Sequence, residues 1–465
     1  MATALDRHVA LVGFMGAGKT TVGAEVAARL GRPFVDTDTE IERRTGSTIP
    51  ELFDVGEAYF RGLEAEMVEE LLASPEPAVV ALGGGAVLAE TTRAALAGQA
   101  LCVLLDIDPA TAWERARGED RPLAQSEEHF HALHEERRPL YDEVADAVGA
   151  DVDDVVLAAA GVHAGVGALE SLGELVPGEG AVALVGDAHV SGIHGMDAQL
   201  ALGARVASTH EVHGKTAADL EVLWRALRID RAGTVVALGG GTTTDLAGFA
   251  AATYMRGVDW VPVPTSLVGQ VDAAIGGKTG VDLPEAKNLV GAFHWPVRTV
   301  VDPALLATLP EEERLNGMAE VVKTGLLAGA PLWELADEEL VRRCAAYKSA
   351  LCLRDPHDRG PRHALNLGHT FAHALESASG YRLPHGRAVA LGLLAALRLS
   401  GRDPREVEEV LRPEPVRVDR ERAWSALLRD KKGRLRIVLL AEGGASEEEL
   451  PEADVRAALD ALIAG

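Results

Sequence analysis

The sequence predicts an α/β protein in which two units with parallel sheets precede a helical part. Two short apolar runs, Val9–Val12 and Val235–Leu238, each lead into a glycine cluster and then a helical pattern. Strand, glycine turn and helix in this order are typical of nucleotide-binding units. From Leu315 onward the chain reads as helices that carry polar side chains. Aromatic residues make up only 4% of the chain whereas Ala, Gly, Val and Leu abound, which suits closely packed α/β layers.

Length, composition and charge narrow the class of protein. A chain of 465 residues predicts two to four domains, and 47% hydrophobic with 25% charged residues is typical of a globular protein. The net charge of −26 argues against binding to nucleic acid or a membrane surface, although local basic pockets can still hold anionic small substrates. Three cysteines without a CxxC pair indicate a cytoplasmic protein without disulfides. Neither a signal peptide nor an apolar stretch of membrane-spanning length is expected.

The first glycine cluster fits the P-loop pattern GxxxxGK[ST] in its required place between a strand and a helix. It runs from Gly13 through Gly16 and Gly18 to Lys19 and Thr20. Its glycines allow backbone amides to approach phosphate oxygens at a helix N-terminus. Lys19 is then expected to reach the β- and γ-phosphates, and the Thr20 hydroxyl is expected to bind Mg²⁺.

Other polar residues of this half suit a small anionic substrate. Asp36 and Asp38 follow the apolar run Pro33–Val35, where carboxylates beside a P-loop suit Mg²⁺ and a substrate hydroxyl; solvated turn residues are the alternative. The glycines 83–85 follow another apolar run and permit a ligand to lie against bare backbone. Arginines suit carboxylates and phosphates, although any single one can be a surface residue, and the candidates are Arg61, Arg121 and Arg137.

These residues together resemble shikimate kinase over residues 1 to about 158. The motifs that carry the resemblance are GFMGAGKT, DTD, ERRTG, FR, LGGGAV, DRPL and RRPLY, in the family's order. The resemblance implies a P-loop kinase fold and phosphorylation of the shikimate 3-hydroxyl by ATP with Mg²⁺. It assigns Mg²⁺ to Thr20 and Asp36, and the shikimate hydroxyls and the role of base to Asp38. The substrate carboxylate would be bound by Arg61 and Arg137, beside Gly83, Gly84 and Gly85. The phosphates would be bound by Lys19 and by Arg121, which would lie on a lid.

The second half repeats the glycine-cradle pattern. Ala181–Asp187 is an apolar run that ends in an acid, and Val235–Leu238 leads into Gly239–Gly241 and a helical run from Leu246. This indicates a dinucleotide or phosphate cradle, although without GxGxxG the signal alone is weak. The stretch 254–288 is rich in glycine and cations, which favours loops that close over an anionic ligand; surface lysines are the alternative.

Three histidines lie within Ala364–Arg387. His369 and His373 are four apart and share a helix face, and His385 follows beyond a Gly-Tyr-Arg-Leu-Pro break. Such imidazoles suggest a metal ligand set that lacks one carboxylate, whereas core or cap histidines are the alternative. Glu320, on an upstream helical stretch, can supply that carboxylate and complete a catalytic Zn²⁺ site with open positions.

The second half closely resembles 3-dehydroquinate synthase across about 162–465. The motifs are ALGGGTTTDLAGFAAATYMRG, PTSLVGQVDAAIGGKTGVD, KNLVGAF, GMAEVVKTG, LNLGHTFAHALE and HGRAVALG. The resemblance implies a Rossmann-like α/β NAD-binding subdomain and an all-helical metal-binding subdomain, and hence domains at 1–160, 161–308 and 309–465. It implies conversion of 3-deoxy-D-arabino-heptulosonate 7-phosphate to 3-dehydroquinate and phosphate. In the family's reaction, NAD⁺ transiently oxidises C5 of the substrate to a ketone. This ketone acidifies the neighbouring C6–H, so that phosphate can leave. The ketone is then reduced again, which regenerates NAD⁺ in each turnover.

The same resemblance assigns roles residue by residue. Zn²⁺ or Co²⁺ would be held by Glu320, His369 and His385, with His373 beside them as a proton-handling or supporting residue. NAD⁺ would be met by Asp187, Lys215, Gly240, Gly241, Asp245, Thr265 and Ser266, with Lys278 and Lys287 near the nicotinamide. The substrate would be bound by Arg256, Asp272, Asn288 and Lys431, and by the residues also taken as catalytic, namely Lys278, Lys323, Lys348, Arg362 and Asn366.

The chain departs from the synthase pattern at several places, among them a compressed segment from Arg402 to Arg422 and a short loop after Lys432. Thr244 stands where the family has a glycine, and Glu211 and Lys215 are four apart instead of three. An Asp-Glu pair of the family reads Asp355-Pro-His-Asp358 here. These departures bear on affinity and rate, whereas the motifs that define the reaction are present.

Three functions are compatible with the sequence. The first is a bifunctional cytoplasmic enzyme of the shikimate pathway that acts on small molecules and forms a homodimer through the synthase part. The second makes the C-terminal half a related sugar-phosphate cyclase with another substrate. The third makes one half a degenerate regulatory module, but that predicts broken catalytic positions, and the residues of both sites are present.

Overall fold

The computed structural model describes residues 4–117, 126–284, 286–430 and 435–464. The chain divides into two compact units, Met1–Val162 and His163–Gly465, which are described separately. Arg121 and Lys431 lie outside the described residues. Within the described part of the chain, no helix is long and apolar enough to cross a membrane.

The first unit is built on a five-stranded parallel sheet. Its central strand is buried at every residue, which is expected of a parallel strand with helices on both faces. The order is β2-β3-β1-β4-β5, with strands β1 (His8–Val12), β2 (Phe34–Asp36), β3 (Val79–Ala81), β4 (Ala100–Leu105) and β5 (Ala147–Gly149). The apolar runs that predict strands before the P-loop and before the aspartates coincide with β1 and β2.

Among the described residues of this unit, eight α-helices accompany the sheet and place the polar residues at its carboxyl edge. The helix that follows the P-loop begins at Lys19, and the helix after the two aspartates is capped by Asp36. The helices are α1 (Lys19–Leu30), α2 (Thr37–Thr45), α3 (Ile49–Val55), α4 (Glu57–Leu72), α5 (Glu90–Gln99), α6 (Pro109–Ala116), α7 (Glu127–Val144) and α8 (Val152–Ala160), with a 3₁₀ turn at Ala86–Leu88.

The second unit contains a four-stranded parallel sheet in the order β10-β9-β7-β8. Successive strands depart to opposite sides of β7, so that β7 and β9 flank a topological switch point, where open α/β sheets bind ligands. The strands here are β6 (Val162–Ala164), β7 (Val182–Asp187), β8 (Val206–Val212), β9 (Thr234–Gly239) and β10 (Asp259–Pro264). The helices are α9 (Leu172–Leu175), α10 (Ala188–Leu202), α11 (Ala217–Ala226) and α12 (Gly241–Thr253), with 3₁₀ turns at Gly203–Arg205 and Tyr254–Arg256.

The glycine-rich stretch 254–288 is more regular than the sequence predicts. A π-helix spans Gly269–Ala273, and an antiparallel hairpin is formed by β11 (Lys278–Leu283) and β12 (Ala286–Phe293). Gly280 pairs with Gly291, and a Cβ on Gly280 would lie 2.8 Å from the Val290 carbonyl oxygen. The prediction of loops was wrong for this part of the stretch because these glycines serve the close approach of two strands.

The predicted all-helical part is helical except for one further hairpin. Its core lies around α15 and α16, which approach closely because neither Gly368 nor Gly392 carries a side chain. This part is preceded by β13 (Thr299–Val301) and a 3₁₀ turn at Pro303–Thr308, and further 3₁₀ turns lie at Leu332–Glu334 and Pro361–Asn366. Its helices and strands are α13 (Glu311–Ala328), α14 (Asp337–Arg354), α15 (His369–Ala378), α16 (His385–Leu399), α17 (Arg405–Leu411), α18 (Arg420–Asp430), β14 (Arg436–Ala441), β15 (Gly444–Glu449) and α19 (Glu452–Asp460).

Candidate active sites

The P-loop of the first unit is folded around its lysine. Gly16 and Gly18 have φ angles of 80° and 84°, a conformation that residues with a Cβ rarely adopt. The Lys19 ammonium donates to the carbonyl oxygens of Gly13 at 2.8 Å and Phe14 at 3.0 Å. The lysine thereby closes the loop that leads into α1, whose N-terminus is suited to phosphate.

Thr20 and Asp36 lie side by side at the carboxyl ends of β1 and β2. The Thr20 hydroxyl donates to Asp36 Oδ2 at 2.6 Å, while Asp36 Oδ1 accepts the Thr39 amide and caps α2. A hydroxyl and a carboxylate beside a phosphate loop are the oxygen ligands that Mg²⁺ prefers. These residues therefore fit the ion that P-loop chemistry requires.

Asp38, Arg61 and the glycine triplet form a second cluster next to the P-loop. A Cβ on Gly83 would lie 2.7 Å from Asp38 Oδ1, and a Cβ on Gly85 would collide with the Arg61 guanidinium. Both charged groups therefore lie directly against bare backbone. A small polyol with a carboxylate fits such a surface, because hydroxyls suit Asp38 and a carboxylate suits Arg61.

Arg137 joins the same cluster from α7. Its Nη1 donates to the Gly84 carbonyl at 3.4 Å, and the Tyr141 hydroxyl donates to the same oxygen at 2.5 Å. Burial raises the pKa of Tyr141 to about 12, so the phenol remains a donor. The triplet is thus held in place by α7, and Arg61 and Arg137 carry positive charge on either side of it.

Glu64 is a buried carboxylate of this cluster that the sequence reasoning missed. Its side chain is 3% exposed and accepts Arg61 Nη1 at 2.6 Å. Burial raises the pKa of Glu64, the nearby Asp38 carboxylate adds to this, and Arg61 and Arg137 oppose it. The spacing Arg61–Glu64 on one helix face was the available signal.

The second unit places a glycine cradle at the carboxyl edge of its sheet. Gly240 caps α12, and the Thr265 amide donates to the Gly239 carbonyl at 3.1 Å. The Ser266 side chain lies so near that a Cβ on Gly240 would stand 3.3 Å from its Oγ. Asp187 ends the neighbouring strand β7, and its Oδ1 caps α10 by accepting the Val190 amide. A helix N-terminus, bare backbone and a strand-end acid together fit the pyrophosphate and ribose of a dinucleotide.

Thr244 does not interrupt the cradle. The residue is buried, and its hydroxyl donates to the carbonyl oxygens of Gly240 at 3.4 Å and Gly241 at 3.2 Å. The hydroxyl is therefore satisfied within the first turn of α12. The departure from the family pattern is accommodated without breaking the helix.

Lys215 ties the hairpin to the cradle. Its ammonium donates to Asp245 Oδ2 at 2.7 Å and to Asn288 Oδ1 at 2.6 Å, and it lies 3.7 Å from Asp282 Oδ1. Asn288 has a φ of 55°, which brings its side chain to this point. Glu211, in contrast, is exposed near His213. Glu211 therefore does not share the contacts of Lys215.

Glu320, His369 and His385 form a group whose potential ligand atoms all lie within 4.8 Å of one another. Glu320 Oε1 is 3.3 Å from His369 Nε2 and 3.0 Å from His385 Nε2. His369 Nδ1 contacts the Leu367 carbonyl at 3.2 Å, which orients that ring. One carboxylate and two imidazoles are a donor set that suits Zn²⁺ or Co²⁺ with open positions. His373 is exposed and lies outside this group.

The charge on Glu320 is maintained despite complete burial. Burial alone would raise its pKa, but Lys323 and His369 hold the pKa well below its ordinary value. Lys323 itself is 1% exposed and pairs directly with Glu320. The carboxylate is therefore ionised and available as a ligand.

Lys323, Lys348 and Asp272 form a second charged cluster next to this group. The Lys348 ammonium pairs with the Asp272 carboxylate and donates to the Asp272 carbonyl at 2.6 Å, while Lys323 lies 4.0 Å from the carboxylate. Although burial opposes it, the two ammonium groups keep the pKa of Asp272 below its ordinary value. Burial lowers the pKa of Lys348. Two buried cations beside one aspartate suit a phosphorylated, hydroxylated substrate.

The other residues assigned to the substrate or to the nicotinamide lie on the β11–β12 hairpin and in the segment between α14 and α15. Lys278 pairs with Asp358, which lies within the turn that Asp355 organises by accepting the amides of Arg359 and Gly360. Arg362 is 1% exposed and donates to the Pro356 carbonyl at 3.3 Å. Asn366 ends the 3₁₀ turn just before α15. Lys287 lies 3.7 Å from Glu376 and 4.8 Å from the ring centroid of Tyr381.

Arg256 is not brought to these clusters. It follows α12 at the end opposite the cradle, about 20 Å along the helix from Gly240. There it is exposed and lines a surface pocket with Asp230, Arg231 and Met255. Met255 and Arg256 have φ angles of 51° and 70°, so the turn that presents this arginine is strained.

Comparison with known families agrees with the two sites. Residues 15–159 match the shikimate kinase family, residues 206–316 match the N-terminal part of 3-dehydroquinate synthase, and residues 317–432 match its C-terminal part. A bifunctional shikimate kinase/3-dehydroquinate synthase from Thermotoga maritima is 33% identical over 493 aligned residues, covering 95% of this chain and 97% of that protein. The chain belongs to this bifunctional family.

Other relatives match the synthase half of this bifunctional enzyme. The 3-dehydroquinate synthase of Bordetella pertussis is 38% identical and covers 64% of this chain and 95% of that protein. A crystal structure of 2-deoxy-scyllo-inosose synthase complexed with carbaglucose-6-phosphate, NAD⁺ and Co²⁺ shares 23% identity with a TM-score of 0.58, covering 64% of this chain and 95% of that one. At this identity the second likeness shows the shared fold. The α/β class with a P-loop kinase unit and a helical C-terminal part is confirmed.

Proposed function

We propose that this bifunctional enzyme phosphorylates shikimate at the first site and converts 3-deoxy-D-arabino-heptulosonate 7-phosphate to 3-dehydroquinate at the second. The observation that carries the proposal is that, among the described residues, each unit brings together charged groups suited to its own chemistry. The first unit joins a P-loop to a polyol and carboxylate surface, and the second joins a three-residue donor set to buried cations. The higher identity to 3-dehydroquinate synthase than to the solved cyclase favours this substrate over the related-cyclase alternative.

In the kinase unit we assign each residue a separate task. Lys19 and the P-loop amides bind the ATP phosphates, while Thr20 and Asp36 hold Mg²⁺. Asp38 accepts the proton of the 3-hydroxyl, because its carboxylate lies against the bare backbone of Gly83 beside the P-loop. Arg61 and Arg137 bind the substrate carboxylate. Glu64 holds the Arg61 guanidinium at its place.

In the synthase unit the cradle residues fit NAD⁺, and Glu320, His369 and His385 fit Zn²⁺ or Co²⁺. When bound, these groups supply a reversible oxidation of C5 and polarise the substrate hydroxyls. Lys348 fixes the π-helix that carries Asp272, so that the aspartate faces the substrate hydroxyls. Lys323, Lys278 and Arg362 neutralise the phosphate and carboxylate of the substrate. His373 lies beside the ligand pair and is exposed, which suits a proton shuttle.

Lys215 and Asn288 have a further task within this proposal. They join the β11–β12 hairpin to the N-terminal turns of α12 through Asp245. The hairpin carries Lys278 and Lys287, so its anchoring to the cradle sets where those cations stand relative to the nicotinamide. The domain limits 1–160, 161–308 and 309–465 belong to the same proposal.

A homodimer of the synthase unit is also proposed. Three large apolar side chains, Ile193, Met196 and Leu200, lie at helical spacing on α10 and are 41%, 65% and 72% exposed. Burial of this face against a second copy would remove it from water. The cytoplasmic location stays a prediction from cysteine usage, and the three cysteines are free and buried.

Two assays on one preparation test the proposed function. The first measures phosphate release from the heptulosonate phosphate with NAD⁺ and Zn²⁺, and the second measures shikimate-dependent formation of ADP. Activity in both is expected. No phosphate release from a protein with confirmed bound metal would contradict the synthase assignment, and no ADP formation would contradict the kinase assignment.

A further inference from the structure

A second buried carboxylate faces the ring of His385 from the side opposite Glu320. Glu376 lies on α15, seven residues after His369, and is 4% exposed. Its Oε1 is 3.5 Å from His385 Nδ1, while His385 Nε2 is 3.0 Å from Glu320 Oε1. The imidazole is therefore placed between two carboxylates, one on each ring nitrogen.

We propose that Glu376 is a positioning residue that fixes the tautomer and orientation of His385; this rests on the proposed metal site. A neutral imidazole offers a lone pair from one nitrogen only when the proton sits on the other. A carboxylate at Nδ1 holds the proton there and would leave the Nε2 lone pair for an ion held together with Glu320 and His369. The carboxylate also makes the Nε2 lone pair a stronger donor to a metal ion.

The two histidines of the group are oriented by different means. His369 Nδ1 faces the backbone carbonyl of Leu367 at 3.2 Å, a partner that no side-chain substitution removes. His385 begins α16 directly after Pro384, and its Nδ1 faces the Glu376 side chain. Substitution at Glu376 can therefore release one ligand ring and leave the other in place.

The turn between the two helices fixes the distance from Glu376 to His385. The Tyr381 amide donates to the Glu376 carbonyl at 2.8 Å, and the Ser379 hydroxyl donates to the same oxygen at 2.7 Å. Gly380 and Tyr381 have φ angles of 65° and 60°, which end α15 and send the chain back towards its own side chains. The backbone of Glu376 is thereby anchored at the helix end.

Lys287 joins Glu376 from the hairpin. Its ammonium is 3.7 Å from the same Oε1 and 4.8 Å from the centroid of the Tyr381 ring. Because the lysine is 41% exposed, its contact contributes little energy but provides a second charge next to the carboxylate. Glu376 thus links the strand that carries Lys287 to one ring of the ligand group.

The test compares Glu376→Met and Glu376→Gln with Asp302→Asn as a matched control. Asp302 is another buried carboxylate of the same unit, 2% exposed, and it accepts backbone amides of Gly167 and Leu169. Zn²⁺ affinity is measured by competition with a chromophoric chelator, and the visible absorption bands are recorded for the Co²⁺-loaded proteins. Kinase activity of the same chain reports the folded fraction of the first unit. Thermal melting of the metal-free protein reports whether the second unit is folded.

Glu376→Met is expected to weaken Zn²⁺ binding about 10- to 100-fold. Glu376→Gln is expected to weaken it less, because the amide oxygen still accepts the Nδ1 proton, and to shift the Co²⁺ bands because the charge is lost. Wild-type affinity and spectrum in a folded Glu376→Met, or an equal loss in Asp302→Asn, would overturn the proposal. If Glu376→Met does not fold, unchanged Co²⁺ bands in Glu376→Gln overturn it. Unaltered metal binding in His369→Ala would instead contradict the metal site itself.

Discussion

Arg61 Nη1 donates to Glu64 Oε2 at 2.6 Å, and this pair stands in the kinase cluster beside Gly85. The Glu64 side chain is 3% exposed, whereas Arg61 keeps 18% of its surface in water. The arginine can therefore bind a substrate carboxylate while its other face stays fixed by the buried glutamate. This arrangement explains how one guanidinium can be rigid and accessible at once.

Removal of Arg61 should affect stability and substrate binding separately. Arg61→Met leaves Glu64 buried without its main partner and is expected to destabilise the first unit by ~3 kcal/mol, the lower end of the range for broken buried pairs. The double variant with Glu64→Gln should recover most of this stability but not the affinity for shikimate. Urea dependence of kinase activity and the KM for shikimate measure the two effects. Recovery of the KM in the double variant would contradict a substrate-binding role for Arg61.

The first unit should lose stability as Glu64 becomes charged. Because its pKa is raised in the folded protein, the folded state holds this proton at a pH where the unfolded chain has released it. The contribution of Glu64 is then largest below the unfolded pKa of about 4.3 and declines as pH rises through the folded pKa. The contribution of Glu64 is measured by urea unfolding of wild type and Glu64→Gln between pH 4 and 8. The folded fraction is read from the kinase activity after return to pH 7. An identical pH dependence in the two proteins would exclude Glu64 as the source.

Loss of one metal ligand should separate the two activities. His369→Ala removes an imidazole that lies 3.3 Å from Glu320 and is expected to abolish phosphate release from the heptulosonate phosphate. Kinase activity should remain at the wild-type level, because its residues lie in the first unit. Lys19→Met is the reciprocal variant and should abolish ADP formation alone. Loss of both activities in a folded His369→Ala protein would contradict separable sites.

Metal removal should inactivate the synthase without unfolding it. Glu320 pairs with Lys323 as well as with the two imidazoles, so the charged group remains satisfied after a chelator extracts the ion. A zinc-selective chelator, followed by excess Mg²⁺, is expected to stop phosphate release and leave ADP formation intact. Added Zn²⁺ or Co²⁺ should restore the lost activity. A loss of helical circular dichroism on chelation would show instead that the ion is needed for folding.

The exposed face of α10 should control the oligomeric state. The double substitution Met196→Glu and Leu200→Glu places two charges on that face and is expected to convert a dimer into a monomer, as measured by sedimentation equilibrium. Val55→Glu is the matched control, because Val55 is a 71% exposed apolar residue of the first unit. A dimer that survives the double substitution would assign the interface to another surface.

Glycines and cations in the stretch 254–288 gave a misleading signal about local structure. They predicted loops, yet the chain forms a π-helix and the β11–β12 hairpin there. Composition does not reveal whether a glycine provides flexibility or allows two strands to approach. That distinction depends on the partner strand, here Gly291 opposite Gly280.

Short local motifs were enough to predict the residues whose chemistry depends on the order of neighbouring residues. Gly16, Gly18, Lys19 and Thr20 need only the turn between a strand and a helix, and that turn is encoded within a few residues. The spacing of His369 and His373 also suggested a metal site, although core or cap histidines were the alternative until Glu320 supplied a carboxylate. For the same reason the two family resemblances could be read from short motifs.

Which distant side chains meet, and what charge they carry, depends on the packing of the folded chain. Glu320 and His385 are 65 residues apart, and Lys348 reaches Asp272 across 76 residues. The buried Glu64 and Glu376 were missed because a glutamate on a helix is ordinarily solvated, and burial depends on what packs over it. The same structure separates Arg256 from the cradle by the length of α12. Contacts and burial of this kind arise from packing between elements, which local sequence patterns do not specify.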